Sequence, residues 1–178
     1  MKKGSVPQSI EVRALAARQV TLAGGLDAIR LPRLAEAVRA LDTPADVSAE
    51  FKRDEAGRYV LDLTVNMVVQ VACQRCLEAM LLTVSSATRL GIVWTEEQAQ
   101  ALPSGAEPLV TGDETNFWQV IEDELLLALP PFSYHAATDC AEQTGRVMRP
   151  EVDLPVIEEE DSGNNPFSAL MGLKDSSN

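Results

Sequence analysis

The sequence predicts an α+β domain, in which two or three helices pack on an antiparallel, open or barrel-like sheet, followed by a disordered acidic tail. Two long segments, 59–71 and 80–94, alternate apolar and polar residues with the period of a half-buried strand. Two others, 31–41 and 117–128, repeat apolar residues at helical spacing. Because strands joined by a short turn pair in an antiparallel manner, this order favours an antiparallel sheet over alternating β and α units.

The first 25 residues alternate only weakly. Ile10, Val12 and Ala14 suit a strand, and Gly24 and Gly25 break whatever precedes them. We therefore expect a short strand that ends before the glycine pair.

Residues 31–41 predict the first helix. Leu31, Leu34, Val38 and Leu41 fall at helical spacing. Pro32 fits the first turn of that helix, where its missing N–H group removes no helical hydrogen bond.

The central part of the chain predicts three strands, two of which form a long hairpin. Residues 46–52 alternate and lead into a turn at 54–57. From residue 59 the alternation is the clearest in the chain, and one side is formed by Tyr59, Leu61, Leu63, Val65, Met67, Val69 and Val71. A second strand runs from about residue 80 to residue 94, so the segment CQRCLEAM (73–80) lies at the turn of an antiparallel hairpin.

The second half of the chain predicts a loop and then a helix. Residues 95–115 are acidic and contain two prolines and two glycines, which is typical of a loop. Asn116 is suited to cap the next helix, and Pro130 and Pro131 end it. The apolar stripe of this helix consists of Phe117, Val120, Ile121, Leu125 and Ala128.

Three adjacent acidic residues, Glu122, Asp123 and Glu124, lie in the middle of that helix. Adjacent residues on a helix point in different directions, so the three carboxylates cannot face one magnesium ion. We expect them to form a solvated face.

The composition changes near residue 150, which predicts a domain at 1–150 and an acidic, disordered tail at 151–178. The tail ends in a short apolar motif, NPFSALMGLK (165–174). This motif is either a fraying end that touches its own domain or a segment that folds on a partner. In the second interpretation the partner-binding residues are Asn165, Pro166, Phe167, Leu170, Met171 and Leu173.

The net charge of −12 is unevenly distributed. Residues 1–90 carry 12 Lys and Arg against 10 Asp and Glu, whereas residues 91–178 carry 3 against 17. Because the second half would be repelled by a polyanion, any RNA contact is expected from the first half, where Arg30, Arg33 and Arg39 lie on or near the polar side of the predicted helix. The alternatives are that these arginines only form a solvated helix face, or that the partner is a basic protein.

The chain has three cysteines and one histidine, which are too few for a disulfide framework and exclude any mechanism that needs two histidines. Cys73 and Cys76 have C-x2-C spacing, and His135 and Cys140 form a second pair further along the chain. These four residues supply three thiolates and one imidazole, which is the ligand set of one structural zinc site. The alternatives are buried spectator thiols, or a redox pair at Cys73 and Cys76.

The sequence contains no P-loop, no dinucleotide-binding glycine motif, no nucleophile elbow and no recognisable Ser/His/Asp set. No segment has the length of a membrane span, and the N-terminus lacks the apolar stretch of a secretory signal. We therefore expect a cytoplasmic, non-catalytic protein that binds no membrane and no small-molecule substrate.

Several of these segments occur together, in this order, in one known family. CQRCLEAM at a hairpin turn, VIEDELLLALP, the H-x4-C loop and the terminal NPFSALMGLK resemble the large ribosomal RNA subunit accumulation protein YceD family. The resemblance implies a role in the synthesis, processing or stability of 23S ribosomal RNA. It also implies that the partner is the large ribosomal subunit precursor, 23S rRNA itself, or a basic ribosomal protein or assembly factor.

The resemblance also bears on the metal. More cysteine-rich relatives carry Cys where this sequence has His135, and Cys and His are both zinc ligands. This chain lacks a further C-x2-C pair that those relatives place after the loop.

Overall fold

The computed structural model describes residues 4–136 and 138–140. In this part of the chain the elements follow in the order β1 (Ser9–Ile10), α1 (Val12–Ala17), β2 (Thr21–Leu26), a 3-10 helix (Ala28–Arg30), α2 (Pro32–Ala37), β3 (Ala45–Arg53), β4 (Tyr59–Ala72), β5 (Ala79–Val93), α3 (Glu96–Gln100), β6 (Glu107–Val110), β7 (Thr115–Asn116) and α4 (Phe117–Leu127).

Five strands form one sheet in the order β2-β3-β4-β5-β6, and β1 pairs separately with β7. All neighbours in the large sheet are antiparallel except β5 and β6, which are parallel. The prediction of helices combined with a mainly antiparallel sheet is confirmed. The barrel-like alternative is not, because β2 and β6 form the two edges of an open sheet within the described residues.

The long hairpin is confirmed almost to the residue. β4 and β5 pair from Val60 opposite Gly91 to Ala72 opposite Ala79. The predicted apolar side of β4 is buried at Leu61, Leu63, Val65, Met67 and Val69. The expected strand at 46–52 is β3, and the turn that follows contains Gly57 at a φ of +78°, a conformation that favours glycine.

The N-terminal prediction was wrong in two respects. Of the three residues expected in the first strand, only Ile10 lies in one, β1, and the chain then enters helix α1, which buries Val12 and Ala16 four residues apart. The glycine pair lies inside β2 and does not interrupt it. Gly24 is needed for close packing, since a Cβ atom there would overlap the carbonyl oxygen of Gly4.

The segment at 95–115 was also predicted wrongly, because it is not simply a loop. It contains helix α3, which Thr95 caps by accepting a hydrogen bond from the backbone N–H of Gln98 at 3.4 Å, and strand β6. Elements of four or five residues are too short to show a helical or strand period. Together with α1, where a strand was expected, α3 brings the described residues to four α-helices and a 3-10 helix, and not the expected two or three.

Helix α2 is shorter than predicted, since it ends at Ala37 and Val38 is extended. Pro32 occupies its first turn as expected, and Leu31 and Leu34 are fully buried. Helix α4 matches its prediction: the side chain of Asn116 accepts a hydrogen bond from the backbone N–H of Gln119 at 3.4 Å.

The apolar stripe of α4 forms the centre of the core. Phe117, Ile121 and Leu125 are fully buried, and the ring of Phe117 lies 6.1 Å from the ring of Phe51 on β3. Helix α4 therefore covers the apolar face of the large sheet.

The expectation of a solvated acidic face on α4 was wrong for two of its three residues. Glu122 and Glu124 are only 4% and 6% exposed. The side chain of Glu122 accepts hydrogen bonds from the backbone N–H groups of Arg33 (2.7 Å) and Leu34 (3.1 Å), and from Nε of Arg33 (2.9 Å). Such bonds satisfy donors that a helix start leaves unpaired, so Glu122 caps α2 from another helix.

The second buried carboxylate connects α4 to the sheet. Glu124 accepts hydrogen bonds from the hydroxyl groups of Ser86 (2.8 Å) and Thr88 (2.6 Å) on β5. Those two residues lie on the inner face of β5, opposite Val65 and Leu63. Hydrogen bonding to two hydroxyls offsets the cost of burying the carboxylate.

The predicted domain boundary near residue 150 and the tail at 151–178 lie outside the described residues. In the part of the chain that the structure describes, no helix is long and apolar enough to cross a membrane.

We expect Glu122→Ala to lower the free energy of unfolding by about 2–4 kcal/mol, because it leaves two backbone N–H groups and an arginine without their acceptor. Asp123→Ala is the matched control. The side chain of Asp123 is 48% exposed, and its ion pair among the described residues is with Nη1 of the same Arg33 at 2.7 Å, so its loss costs less than about 1 kcal/mol. Urea unfolding of both variants measures the difference, and equal losses would contradict the capping role of Glu122.

Candidate metal centre

The first cysteine pair lies in the tight turn between β4 and β5. The backbone N–H of Cys73 donates to the carbonyl of Glu78 at 2.9 Å, and that of Leu77 donates to the carbonyl of Cys73 at 2.9 Å. These bonds close the turn so that Cys73 and Cys76 point to the same side. The hairpin tip, as we name residues 73–78, thus presents two thiols at one place.

The second pair comes from the segment that follows α4. The backbone N–H of Gln74 donates to the carbonyl of Ser133 at 2.9 Å, which fixes this segment against the hairpin tip. His135 lies two residues later, and its own backbone N–H points to Sγ of Cys73 at 3.5 Å. Cys140 lies on a helical turn, and its backbone N–H donates to the carbonyl of Ala136 at 3.2 Å.

The four predicted ligands meet in one cluster. Their ligand atoms all lie within 4.8 Å of one another. Sγ of Cys140 is 3.5 Å from Sγ of Cys73, 3.9 Å from Sγ of Cys76 and 3.8 Å from Nδ1 of His135. Sγ of Cys76 is 3.3 Å from the same nitrogen. Four ligands at about 2.3 Å from a tetrahedral ion lie about 3.8 Å from one another, so the cluster has the dimensions of a zinc site.

A hydrogen bond at Nε2 of His135 orients the imidazole so that Nδ1 can act as the metal ligand. Nε2 of His135 is 3.3 Å from the carbonyl oxygen of Ala79, so it carries the proton and donates to that carbonyl. Nδ1 then presents its lone pair to the sulfurs. A backbone carbonyl that fixes the tautomer in this way is a common outer partner of a metal-bound histidine.

The protonation of the thiols is set by the same geometry. Burial disfavours the thiolate of Cys73, but hydrogen bonds from the backbone N–H groups of Cys76, His135 and Arg75 outweigh it and lower the pKa to about 5. Burial, followed by hydrogen bonds with Cys73 and Cys76, raises the pKa of Cys140 to about 11. The cluster therefore places the thiolate of Cys73 next to the neutral thiol of Cys140, and a divalent cation would neutralise that negative charge.

Burial distinguishes a structural from a reactive role. Cys73 is fully buried and Cys140 is 4% exposed, whereas Cys76 and His135 are partly buried. Four protein ligands complete a tetrahedral site and leave no open position for a substrate or water, which is typical of structural zinc. The chemistry that this donor set supports is thus the cross-linking of the hairpin tip to the segment after α4.

The three arginines predicted to face RNA are all engaged within the domain. Arg30 lies over the ring of Trp118, with its guanidinium carbon 4.9 Å from the ring centre. Arg33 pairs with Glu122 and Asp123, and Nη2 of Arg39 donates to the carbonyl of Leu77 at 2.7 Å. The predicted partner-binding residues at 165–173 lie outside the described residues.

Some features of the site could not be predicted from the sequence. Leu77 has a φ of +64°, a conformation that leucine rarely adopts, and it is 66% exposed. Only a glycine or asparagine there would have indicated such a backbone. The carbonyl groups of Ser133 and Ala79 that fix the loop and the imidazole leave no sequence signal, because every residue has one.

The amino-acid sequence matches one known protein family along most of its length. A family model described as large ribosomal RNA subunit accumulation protein YceD matches residues 61–174, a range that includes all four ligands of the cluster. A curated protein from Haemophilus influenzae, named Large ribosomal RNA subunit accumulation protein YceD, is 31% identical over 177 residues, which cover 98% of this chain and 99% of that protein. No solved structure matches the chain significantly.

We expect the purified chain to contain one zinc ion, and Cys76→Ser to lose it. Because a structural metal contributes folding free energy, the same variant should unfold at a temperature lower by about 5 °C or more. Elemental analysis and thermal unfolding by circular dichroism measure the two effects. Glu78→Gln is the control, since Glu78 is exposed in the same turn and is not a ligand. Equal metal content in both variants would contradict the site.

Proposed function

Because the chain belongs to the YceD family, we propose that it is a non-catalytic factor in large-subunit ribosome biogenesis, which supports the synthesis, processing or stability of 23S rRNA. The observation that carries this proposal is the match along 98% of the chain to a relative named for large ribosomal RNA subunit accumulation. The name describes an effect on the amount of an RNA, and a binding factor produces such an effect without a chemical step.

The geometry of the cysteine cluster supports the non-catalytic part of the proposal. A closed set of four ligands serves folding, because zinc sites that catalyse reactions keep a position open. The bound ion would be a structural zinc held by Cys73, Cys76, His135 and Cys140.

The alternative, a cytosolic thiol oxidoreductase using Cys73 and Cys76, gains no support from the geometry. Reactive C-x2-C pairs place the attacking cysteine, partly exposed, at a helix N-terminus. Here Cys73 is fully buried and lies directly after strand β4. A thiol at that position is inaccessible to a protein disulfide.

The charge distribution supports a partner of mixed chemistry. The half of the chain with 17 acidic residues suits a basic ribosomal protein or assembly factor, and the other half suits RNA. A large-subunit precursor contains both. We therefore propose the precursor particle as the partner, and the terminal motif at 165–174 as one of its binding segments.

We expect the full chain to co-sediment with large-subunit precursors at low salt and to dissociate at moderate salt, because the surface contacts are electrostatic. Small-subunit particles are the control and should retain less of the protein. In cells lacking the protein, the ratio of 23S to 16S rRNA should fall. Equal association with both subunits, together with an unchanged ratio, would refute the proposal.

Deletion of residues 165–174 should weaken association with the precursor and leave the thermal unfolding temperature unchanged, because the proposal assigns the motif to partner binding and not to the stability of the domain. Deletion of residues 175–178 is the matched control, since it shortens the same tail and keeps the motif. A drop in unfolding temperature with unchanged association would instead place the motif on its own domain.

A further inference from the structure

Arginines lie over the tryptophan and tyrosine rings of this protein. It has two tryptophans and two tyrosines, and an arginine guanidinium lies within 5.5 Å of the ring centre of every one. Two of these rings, Tyr59 and Trp94, share Arg13, and Arg53 also lies over Tyr59. We name Arg13, Arg53, Tyr59 and Trp94 the arginine-aromatic cluster.

The cluster lies at the end of the sheet opposite the hairpin tip. Strand β3 ends at Arg53, β4 begins at Tyr59 and β5 ends one residue before Trp94. The guanidinium carbon of Arg13, on α1, lies 3.6 Å from the ring centre of Trp94 and 5.3 Å from that of Tyr59. Arg53 lies 4.6 Å from the ring centre of Tyr59 and donates from Nη2 to its hydroxyl at 2.7 Å.

The charge of these arginines is not neutralised by carboxylates in the described part of the chain. Three cations on or beside strands β3, β4 and β5 do have such partners: Lys52 pairs with Glu50 and Asp62, Arg58 with Asp54, and Arg89 with Asp62. Arg13 and Arg53 form no such ion pair among the described residues. Nε of Arg13 is buried and has no hydrogen-bond partner there.

These observations together point to a ligand that offers both negative charge and flat rings. A guanidinium that lies over an aromatic ring can present N–H groups at its edge to a phosphate, and Arg53, which is exposed, is placed to do so. Trp94, which is 47% exposed, has surface left for stacking. Single-stranded RNA offers both groups, since its bases stack on aromatic side chains and its phosphates pair with arginine. We infer that the arginine-aromatic cluster is a contact site for unpaired RNA, an inference that rests on the proposed function.

Neighbouring carboxylates limit the size of the site. Glu96 and Glu97 follow Trp94 on α3, and Glu11 precedes α1. A long phosphate track would meet these charges, so the cluster suits one or two nucleotides. An acidic protein segment would meet the same repulsion and supply no bases, which is why RNA is the favoured ligand.

The test uses the full chain and a fluorescently labelled single-stranded RNA of 12 nucleotides, titrated by anisotropy at several salt concentrations. Trp94→Ala should raise Kd about fivefold or more, because one stacked base is lost. Arg53→Gln should also raise Kd and should reduce the salt dependence by about 0.7 in log Kd per log salt, the value for one phosphate contact on a single strand. Arg18→Gln is the control of equal charge, since Arg18 is exposed and lies over no aromatic ring in the described residues.

A second readout does not depend on affinity. In a Trp118→Phe background Trp94 is the only tryptophan, and stacking of a base should quench its fluorescence. Circular dichroism checks that this background is folded, because Trp118 donates a hydrogen bond from Nε1 to the carbonyl of Val6 at 3.1 Å. Trp94→Phe in the wild-type background checks the stacking by affinity, and should retain most of it, since phenylalanine also stacks.

The outcomes separate this inference from the function. Equal effects of Arg18→Gln and Arg53→Gln, or RNA binding without quenching of Trp94, would overturn the site. Displacement of the RNA by polyglutamate at similar concentrations would overturn it in favour of an acidic protein segment. If any of these results occurs while the protein still co-sediments with large-subunit precursors, the site is wrong and the proposed function stands. Site-specific RNA binding without co-sedimentation supports the site and refutes the function.

Discussion

The register of the β4–β5 hairpin is the constraint on which the rest of the structure depends. Thirteen residue pairs, from Val60–Gly91 to Ala72–Ala79, fix both ends of this hairpin at once. A shift of one residue would turn every inner side chain to the outer face. The same shift would move Cys73 away from the cysteine cluster and Trp94 away from Arg13, so both proposed sites rely on the burial of the apolar residues between them.

Helix α4 positions the second pair of metal ligands relative to this hairpin. Its apolar stripe packs on the sheet, and its two buried carboxylates bind α2 and β5. The helix ends at Leu127, only eight residues before His135. Because the helix cannot shift without breaking those hydrogen bonds, the start of the ligand-bearing segment is held at a fixed distance from the hairpin tip.

The sequence was most informative where a pattern extended over many residues. The alternation from Tyr59 and the helical stripe from Phe117 are long, so the hairpin, α4 and the position of the C-x2-C turn could be predicted. The burial of Glu122 could not, because a carboxylate in a helix looks solvated until its distant partners, the N–H groups of Arg33 and Leu34, are known. The same holds for Arg13, whose partner Trp94 lies 81 residues away in the sequence. The metal site was predictable only in part. The residue types of the two ligand pairs indicated a site, but only the fold shows that His135 lies beside Cys76, 59 residues earlier in the chain.

The two ends of the hairpin differ in the groups that they leave free to bind a partner. At the hairpin tip, the three sulfurs and one nitrogen of the cysteine cluster contact one another and would fill all four positions of a tetrahedral metal ion. The cluster therefore leaves no coordination position for a partner. A metal ion bound there would close a loop of 59 residues between Cys76 and His135 and would stabilise the fold by restricting the unfolded chain. At the other end, two arginines have no carboxylate partner among the described residues, although the chain carries a net charge of −12. Positive charge that remains unneutralised in such an acidic protein favours an anionic ligand, and the exposed indole beside it favours one that carries aromatic rings.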